Sequence, residues 1–370
     1  MHRQRPKEAK IPSATCELPE ALPESGPRFP LSEPPAPGSV REVAPGMLWA
    51  RIPLPFRLNH INVYLIADGD GWAIVDTGAS DESARAAWET MFAGPLSGFR
   101  FTKVIVTHHH LDHIGLAGWL CERFDIPLLT SQTCYLNGAN LLLDPEAPAS
   151  LQFREFYRRH GMSGKSAAMI ATRGHDYARM VHRLPVTFRR LADADTITVG
   201  DRVFHILTGE GHAPEQVMLY CPEAKVLLAA DQVIARISPN IGIWPVEPDG
   251  DPLGRYLRSL ASLAARLPVD TLVLPGHGLP FYGLHERCRE LAAHHRERCE
   301  QILAWCDAGA CTVADLAPRL FPHVLDPQQR GFAFGETHAH VNHLVSAGLL
   351  AWTETVGNLV AVRKTRSTGR

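Results

Sequence analysis

The sequence predicts an α/β layered fold that is followed by a smaller α+β module at its C-terminal end. Apolar runs typical of β-strands alternate with helical patterns in two successive blocks, an order that indicates sheets covered by helices. After about residue 284 the composition becomes helical and polar, and two short β-type runs follow. We therefore divide the sequence into a leader of residues 1–40, a main domain of residues 41–285 and a C-terminal module of residues 286–370.

The composition is that of a globular protein with an unusual number of histidines. A chain of 370 residues is long enough for two domains, or for one domain with additions. Hydrophobic residues make up 45% and charged residues 21%, which argues against disorder of the whole chain. The formal net charge of -2 gives no reason to expect a surface for nucleic acid or membrane along the whole chain. The 19 histidines point instead to metal or proton chemistry.

The cysteines and the apolar runs indicate in which cellular compartment the protein is expected. Eight cysteines occur without a CxxC pair, which argues against a zinc-ribbon or thioredoxin-like motif. The first ten residues are basic but lead into no apolar segment of a secretory signal. Eighteen apolar residues never follow one another, so we expect no transmembrane span. A reduced, cytoplasmic protein is the simplest interpretation.

The N-terminal part of the main domain is predicted to be rich in β-hairpins. The leader, residues 1–40, holds many of the prolines and shows no apolar periodicity, so we expect it to be extended or disordered. Met47–Ile52, Ile61–Ala67 and Trp72–Asp76 are rich in β-forming residues. Asp68-Gly69-Asp70-Gly71 lies between the last two runs and predicts a tight turn.

The rest of the main domain continues the alternation. A helix is predicted at Asp81–Met91, an apolar strand at Phe101–Val106, helical spacing from Asp112 onward and a short strand at Pro127–Thr130. Residues 150–190 are predicted to form a mainly helical insert. The second block is predicted to contain strands at 196–208, 216–220 and 225–230, a helix at Leu253–Arg266 and a strand at Thr271–Leu274.

The C-terminal module is predicted to be similar to a winged helix. Two short helices, Thr312–Leu320 and Gly335–Leu344, precede two β runs, Leu349–Thr353 and Leu359–Arg363. The second helix contains no Lys or Arg, which is a poor electrostatic footprint for DNA. We therefore favour a packing lobe, or one that forms a homodimer, over a module that reads DNA.

Residues 108–113, with the sequence HHHLDH, are the most informative segment. Alternate residues that leave a strand can point the same way, so that His108 and His110 can bind one metal ion. Asp112 and His113 then turn away at the start of a helix and can bind a second ion. A lone His-x-His pattern occurs on surfaces by chance, but this combination at the end of an apolar strand predicts a metal site.

Three further residues of the metal-binding type follow apolar strands. His212 comes after Val203–Leu207 in the run GEGH, Asp231 ends the run VLLAA, and His277 ends the run LVLPG. Each residue alone would be ordinary in a loop. Because strand ends recur with these residue types, we expect them to complete a site for two metal ions.

The order of these motifs, HxHxDH and then GH, D and GH, resembles the metallo-β-lactamase superfamily from about Gly46 to His285. The resemblance implies an αββα sandwich whose metals lie in a groove at one edge. It also implies that Asp76, in the run IVDTG, and Thr107 support the metal-binding residues without binding the metal themselves.

The resemblance further implies two divalent cations, zinc in the first place, with iron or manganese as alternatives. One ion is expected at His108, His110 and His212, the other at Asp112, His113 and His277, with Asp231 bridging them. A metal-bridging hydroxide is the expected nucleophile, because two cations lower the pKa of water and polarise the scissile carbonyl. Asp112 is the predicted catalytic residue, which orients the nucleophile and carries a proton to the leaving group.

Other residues indicate which branch of the superfamily the sequence resembles most. β-Lactamases lack an aspartate at the bridging position, so Asp231 favours the glyoxalase II-like, lactonase and ribonuclease branches. Flavodiiron proteins are disfavoured, because His110 is not a Glu and no flavodoxin-like segment follows. The C-terminal module resembles that of the lactamase-beta-like group, which includes an endoribonuclease and acyl-thioester hydrolases. The segments PLPFRLNHINVYLI and LLAADQVIARISPNIG resemble glyoxalase II-related hydrolases. Gln216 departs from a histidine that relatives often carry there.

The insert is basic, with nine Lys or Arg from Arg154 to Arg190 against two acidic residues. This pattern is typical of a solvated helical face, but it also suits a lid that binds an anionic handle of the substrate, such as the phosphates of coenzyme A, or an RNA backbone. The candidate substrate-binding residues are Arg154, Arg158, Arg159 and Lys165. Arg287 and three histidines, His285, His294 and His295, could extend the same pocket, although neighbouring positions on one helix favour an exposed surface.

Three functions remain open at this point. The leading hypothesis is a hydrolase of an ester-like bond, with an acyl thioester such as acyl-CoA or S-acylglutathione ahead of a lactone. The second is a single-strand endoribonuclease, although sparse aromatic residues in the insert favour a small-molecule substrate over nucleic acid. The third is a regulator or assembly partner with a decayed site, against which the complete set of ligands argues.

Overall fold

Two β-sheets packed face to face form the centre of the main domain in the computed structural model, which describes residues 26–170, 173–323, 326–355 and 357–365. The first sheet consists, in order across the sheet, of β1 Arg41–Ala44, β2 Met47–Pro53, β3 His60–Asp68, β4 Gly71–Val75, β5 Phe101–Ile105, β6 Leu128–Thr130 and β7 Arg189–Arg190. The second consists of β8 Thr196–Val199, β9 Arg202–Gly209, β10 Gln216–Cys221, β11 Val226–Ala230 and β12 Leu272–Pro275, and its order is β12-β11-β10-β9-β8.

Helices cover the outer face of each sheet. The first group along the chain is α1 Glu82–Ala93, α2 Leu111–Ile114, α3 Ala117–Phe124, α4 Gln132–Leu143, α5 Leu151–Arg159, α6 Gly164–Ile170 and α7 Arg173–Met180. The second group is α8 Pro252–Arg266, α9 Leu284–Trp305, α10 Val313–Leu320 and α11 Pro327–Ser346. One apolar core lies between the first sheet and its helices, one between the sheets, and one between the second sheet and its helices. The predicted αββα sandwich is confirmed.

Strand β3 shows how the sequence produces these layers. Side chains alternate between the two faces of a strand, and both faces of β3 are covered. Ile61, Val63 and Leu65 therefore belong to the core beneath the helices, whereas Tyr64 and Ile66 belong to the core between the sheets. This double burial explains why the run INVYLIA is almost continuously apolar.

The helix predicted from Asp112 onward is two helices, α2 and α3, with a break after Gly115. The backbone N–H of Leu116 donates to Gly78 O at 3.0 Å and to Thr77 Oγ1 at 3.1 Å, outside the helix. The apolar periodicity runs through both helices, which is why the sequence shows no sign of the interruption. The break turns the metal motif away from the body of α3.

The C-terminal module consists of α10, α11 and an antiparallel hairpin of β13 Leu350–Glu354 and β14 Val360–Lys364. Helix α11 begins eight residues before the predicted start at Gly335. Asp326 is its N-cap and accepts a hydrogen bond from the backbone N–H of Gln329 at 2.8 Å. An N-cap aspartate followed by proline is a readable start signal, which the apolar spacing alone does not reveal.

The predicted insert packs against the C-terminal module. Tyr157 and Ile170 share a small apolar core with Val313 of α10 and Phe334 of α11. The ring of Phe156 stacks on that of His338 with centroids 5.1 Å apart. Helices α5 and α6 therefore bind the main domain to its C-terminal module.

Most of the predicted leader, residues 1–25, lies outside the described residues. The part that is described, residues 26–40, contacts the main domain. Arg28 pairs with Tyr282 through two backbone hydrogen bonds of 2.8 and 2.9 Å, and Phe29 packs on the core of the second sheet. Within the described part of the chain, no helix combines the length and the apolar character that a membrane crossing requires.

Candidate metal centre

The residues predicted to bind metal lie where neighbouring strands end. Asp231 directly follows β11, and His277 follows β12, which pairs with β11 in parallel. Both side chains therefore emerge at the same edge of the second sheet. The two strand ends are tied together, because Gly276 N donates to Ala230 O at 2.7 Å.

His108, His110 and His212 form one group of potential ligands, whose ligating atoms lie within 4.8 Å of one another. His108 Nε2 and His110 Nδ1 are 3.0 Å apart. The His212 ring stands at 88° to the His110 ring, with centroids 4.5 Å apart. Three imidazoles that converge from different directions suit a single zinc-type ion.

Asp112, His113 and His277 form a second group within the same 4.8 Å limit. Asp112 Oδ2 lies 3.4 Å from His277 Nε2 and 3.8 Å from His113 Nε2. The two imidazoles are almost fully buried, whereas the Asp112 side chain is 19% exposed. Asp112 is therefore the member of this group that is open to an incoming molecule.

Asp231 lies between the two groups. Its Oδ2 is 3.5 Å from His212 Nε2 and 3.3 Å from His277 Nε2, and its Oδ1 is 3.5 Å from His113 Nε2. One carboxylate thus reaches imidazoles of both groups. This position is the one that a ligand shared by two ions would need.

The polar atoms of this cluster fit the two cations that the motifs imply. His113 Nε2, His212 Nε2 and Asp231 Oδ1 are buried and have no hydrogen-bond partner among the described residues. Unpaired buried polar atoms are rare, because each costs about 1–3 kcal/mol of desolvation free energy. Metal ions would satisfy these three atoms together.

Hydrogen bonds from outside the cluster fix which nitrogen of each imidazole faces inward. His113 Nδ1 donates to Asp76 Oδ2 at 2.8 Å, and His277 Nδ1 donates to His60 O at 2.7 Å. His212 Nδ1 donates to Asn240 O at 2.8 Å. Because Nδ1 makes the outer hydrogen bond in all three, Nε2 is the nitrogen that faces the centre, where it can bind a metal ion once it is deprotonated.

Asp76 and Thr107 contact two of the candidate ligands, His113 and His108, and their supporting role stays a prediction. Asp76 Oδ1 accepts from the backbone N–H of Thr107 at 2.9 Å, while its Oδ2 holds His113. Thr107 Oγ1 lies 3.1 Å from His108 Nδ1. Asp76 has a φ of 60°, an uncommon backbone conformation that aims its carboxylate at the metal-binding loop.

The histidines of the cluster fall into two kinds, those whose pKa is lowered and those whose pKa is raised. Burial and the neighbouring histidines lower the pKa of His108 and His110, so both imidazoles stay neutral and able to bind metal. Burial also opposes the charging of His113 and His277, but the nearby carboxylates outweigh it. They raise the pKa of His113 well above its usual range and that of His277 to about 10. Asp231 and its neighbours thus attract positive charge to this place, which divalent cations would supply.

Two glycines allow the backbone before His212 and before His277 to lie close to neighbouring residues. A Cβ atom at Gly276 would lie 2.3 Å from Asp231 Oδ1 and 3.0 Å from His113 Cε1. Gly211 has a φ of +100°, and a Cβ atom there would lie 2.4 Å from the Cβ of Tyr256. The glycine before each histidine of the two GH motifs is therefore a steric requirement.

Sequence reasoning missed several residues that hold the ligands in place. His60 and Asn240 act through backbone carbonyl groups, which every residue type offers, so no sequence signal marks them. Asn62 is buried and holds the His277 turn, with Nδ2 donating to Pro275 O at 2.9 Å and to Gly278 O at 3.1 Å. A polar Asn inside an apolar strand was the available signal.

The candidate substrate-binding residues lie on the insert and are largely exposed. Arg154 and Lys165 are exposed, and Arg158 forms an ion pair of 2.6 Å with Glu155 of the same helix. Arg159 Nη2 lies 3.8 Å from Glu354 of β13. The ion pairs that the structure gives for these helices thus do not involve the cluster, and their role in substrate binding stays a prediction.

The histidines of α9 are not the exposed group that their spacing suggests. His285 and His295 are buried, and only His294 is partly exposed. Arg287 donates to the backbone carbonyls of Ile234 at 2.7 Å and Ile237 at 3.0 Å. Its guanidinium fastens the loop after β11 to α9, and these contacts give no support to an extended pocket.

Gln216, which stands where relatives often have a histidine, is buried in β10. Its Nε2 donates to Gln232 Oε1 at 3.3 Å, and Gln232 Nε2 donates to Glu210 O at 3.2 Å. The side chain therefore supports the GEGH turn next to His212.

A separate group, which we call the helical cluster, consists of His295, Glu336 and His340 on α9 and α11. Its potential ligating atoms also lie within 4.8 Å of one another. Here the imidazoles are hydrogen-bonded to each other, with His295 Nδ1 and His340 Nε2 3.1 Å apart. Glu336 pairs with Arg298 and accepts from Asn240 Nδ2 at 2.9 Å.

Solved structures and curated proteins resemble the chain over most of its length. A beta-lactamase domain protein from Burkholderia ambifaria is 36% identical, with a TM-score of 0.83 over 92% of this chain and 97% of that one. A metallo-beta-lactamase family protein from Thermus thermophilus is 30% identical, with a TM-score of 0.74 over 88% of this chain and 100% of that one. The probable metallo-hydrolase YqjP of Bacillus subtilis is 27% identical over 80% of this chain and 90% of its own length.

One more distant relative carries a specific activity in its name. The atrochrysone carboxyl ACP thioesterase of Aspergillus fumigatus is 21% identical over 68% of this chain and 61% of its own length. Two family models match along the chain. Residues 299–359 match the metallo-beta-lactamase-like C-terminal domain, and residues 57–277 match the metallo-beta-lactamase superfamily. The second match spans the whole candidate metal centre, and the chain belongs to the metallo-beta-lactamase superfamily.

Proposed function

We propose that this protein is a hydrolase that uses two divalent cations, zinc in the first place, to cleave an acyl thioester of the acyl-CoA or S-acylglutathione type. The observation that carries the proposal is the position of Asp231 between two groups of three ligands. One ion is assigned to His108, His110 and His212, the other to Asp112, His113 and His277, and Asp231 to both.

The bound cations would activate water as the nucleophile and polarise the scissile carbonyl. The protein would contribute the fixed geometry around them. The outer hydrogen bonds to His113, His212 and His277 hold three imidazoles in one tautomer before substrate arrives. Such preorganisation removes the cost of reorienting the ligands during the reaction.

Asp112 is the proposed catalytic residue. Burial favours its neutral form, but His113 and His277 outweigh this and hold the pKa of the Asp112 carboxyl at about 2. The carboxylate is therefore ionised at neutral pH and can accept a proton. With its side chain partly exposed, Asp112 is placed to receive a proton from the attacking water and to pass it to the leaving thiolate, which is released as the thiol.

A thioester is favoured over other ester-like bonds for two reasons. Asp231 favours the branches that act on thioesters, lactones and RNA, and a named thioesterase is among the relatives. The basic insert, with Arg154, Arg158, Arg159 and Lys165, would bind the anionic part of a coenzyme A or glutathione conjugate. Lactone hydrolysis and single-strand RNA cleavage are the competing outcomes.

A substrate panel on purified protein with defined metal content tests the proposal. Acyl-CoA and S-acylglutathione substrates of several chain lengths would be compared with lactones and single-stranded RNA. We expect thioester turnover that is lost on chelation and restored by zinc. Phosphodiester cleavage without turnover of any thioester would contradict the substrate assignment, and activity that survives chelation would contradict the metal mechanism.

The role of Asp112 is tested by Asp112→Asn, with Asp125→Asn as the matched control. Asp125 is exposed and ends α3 in a left-handed conformation, with a φ of 52°, which Asn tolerates well. We expect kcat to collapse in the first variant and to stay at the wild-type value in the second. An Asp112→Asn variant that binds both ions and keeps its kcat would exclude the proton-carrying role.

We also propose that the protein works in the cytoplasm. Seven cysteines in the described part of the chain are free, and six of them are buried. Free thiols are typical of reducing compartments. Cell fractionation tests this location, and light scattering of the purified protein tests whether the C-terminal module forms a homodimer or only packs on the main domain.

A further inference from the structure

The loop of residues 232–251, between β11 and α8, contributes to the metal centre from outside. The carbonyl oxygen of Asn240, in the middle of this loop, accepts the Nδ1 proton of His212 at 2.8 Å. Its position therefore decides how the His212 ring is turned. The loop has no regular secondary structure, so other parts of the protein must hold it.

Helix α11 holds this loop at several points. Gly335 O accepts from the backbone N–H of Ile243 at 3.0 Å. Asn342 Nδ2 donates to Pro248 O and to Gly250 O, each at 2.9 Å. The C-terminal module thus fastens the loop along its second half.

The contact nearest to the metal centre is made by Glu336. Its Oε2 accepts a hydrogen bond from Asn240 Nδ2 at 2.9 Å, and its Oε1 pairs with Arg298 of α9. The Glu336 side chain is only 8% exposed, so its carboxylate is largely shielded from water and its two contacts are strengthened. A buried carboxylate held by an arginine is a firm anchor for the amide of Asn240.

The contacts from Glu336 through Asn240 lead to a histidine that is assigned to one ion, and not to the residues assigned to the other ion. Among the described residues that accept the Nδ1 protons, Asp76 and His60 belong to the N-terminal half, and they hold His113 and His277. Asn240 holds His212, which is assigned to the other ion. A disturbance at Glu336 should therefore be felt first by the ion at His108, His110 and His212.

We propose that Glu336 is a positioning residue of the metal centre, which orients His212 through Asn240. The C-terminal module thereby sets the affinity of one of the two metal sites in the main domain. The inference rests on the proposed two-metal centre, because it assigns His212 to a particular ion. Neither Glu336 nor Asn240 touches the metal site directly.

Metal binding to the apo protein tests this role independently of turnover. Cobalt(II) would be titrated into wild type, Glu336→Ala, Asn240→Ala and Glu336→Gln, with visible absorption and a competing chelator giving the two dissociation constants. We expect both alanine variants to weaken one ion about 10- to 100-fold and to leave the other within about 2-fold, the range typical of lost outer hydrogen bonds to a ligand. Glu336→Gln keeps an oxygen acceptor for Asn240 and should recover most of the affinity.

Asn342→Ala is the matched control, because Asn342 lies on the same helix and holds the same loop away from Asn240. We expect it to lower the melting temperature without separating the two dissociation constants. Equal weakening of both ions in all variants, in proportion to the loss of melting temperature, would reduce Glu336 to a structural role. Should Glu336→Ala not fold, Asn240→Ala decides, since Asn240 is only partly buried. A wild-type protein that takes up no metal would instead overturn the metal centre itself.

Discussion

Two histidine-rich clusters in this molecule satisfy the same distance criterion but differ in their hydrogen bonding. The strand-end cluster, which we define as the seven proposed metal ligands, and the helical cluster of His295, Glu336 and His340 both contain three potential ligating atoms within 4.8 Å. Both are largely buried. Spacing alone would assign a metal ion to each.

The hydrogen bonds separate the two clusters. The strand-end cluster keeps three buried atoms without a partner among the described residues, His113 Nε2, His212 Nε2 and Asp231 Oδ1. In the helical cluster, His340 Nδ1 donates to Glu336 O at 2.7 Å, and both Glu336 oxygens are taken by Arg298 and Asn240. An ion bound there would have to displace these hydrogen bonds, and it would lie close to the positive charge of Arg298. Unsatisfied atoms within a convergent group of ligand-type residues, rather than proximity alone, therefore distinguish the candidate metal site from the helical cluster.

Removing one ligand from the strand-end cluster should have the largest effect. We expect His110→Ala to lose turnover entirely while its circular dichroism spectrum stays that of the wild type, because His110 lies in a loop that the surrounding sheet supports. Turnover assays and elemental analysis measure the outcome. Full activity in this variant would mean that the metal mechanism is wrong.

Crowding the strand-end cluster should be nearly as harmful. In Gly276→Ala, the new Cβ would lie 2.3 Å from Asp231 Oδ1, so the carboxylate must move and bind metal poorly. Gly278→Ala is the comparison, since a Cβ there meets nothing within 4 Å and only its φ of +82° opposes the change, at a cost of about 1 kcal/mol. We expect metal content to fall in the first variant and only the melting temperature to fall in the second. Equal metal loss in both would show that backbone strain, and not the Asp231 contact, is responsible.

Chelation should distinguish the clusters without any mutation. We expect two ions per chain and not three, and a melting temperature that falls when they are removed. Free metal at 100 times its dissociation constant stabilises the folded state by about 2.7 kcal/mol. Imidazole NMR signals of His113 and His277 should shift on chelation, whereas those of His295 and His340 should not. A third ion, or a shift at His340, would place metal in the helical cluster.

The smallest expected effect is a change of the unfolding free energy with pH that arises from the helical cluster. Burial lowers the pKa of His340 to about 3, with Arg298, His294 and His343 disfavouring its charge further, although the bond to Glu336 O opposes this. Between pH 3 and 6.5 the unfolded chain therefore binds a proton that the folded chain does not. Stability should fall as the pH drops below 6.5, by up to about 1.4 kcal/mol per pH unit for this group.

The variant His340→Gln isolates this contribution. Glutamine does not titrate, so the difference in unfolding free energy between wild type and variant should shrink on acidification. Denaturant unfolding of the chelated proteins at pH 7 and pH 5 measures it, because the metal-free strand-end cluster then contributes equally to wild type and variant. A difference that is the same at both pH values would show that folding does not lower the pKa of His340.

The sequence was sufficient for the layered fold and for the residues that form the strand-end cluster. Both depend on patterns that are local in the chain, namely apolar runs and the residue type that follows each run. His212, Asp231 and His277 could be found because each lies within three residues of the end of a strand. The supporting Asp76 came from a motif that resembles the family.

The outer contacts of the cluster could not be found in this way. Asn240 and His60 act through backbone oxygens, which leave no trace in residue type. The clamp from Glu336 joins positions 96 residues apart, and only the folded chain brings them together. The burial of His295 was missed for a related reason, because spacing along one helix does not reveal which other helix covers it.

The fastening of the 232–251 loop by α11 has a consequence for the order of events on the ribosome. All seven proposed ligands are synthesised before Glu336, so the main domain can begin to fold while the anchor of Asn240 is still inside the exit tunnel. One metal position would then be ready early and the other only after α11 has been synthesised. A chain that stops before α11 should therefore keep the metal position at Asp112, His113 and His277 and bind the other ion more weakly.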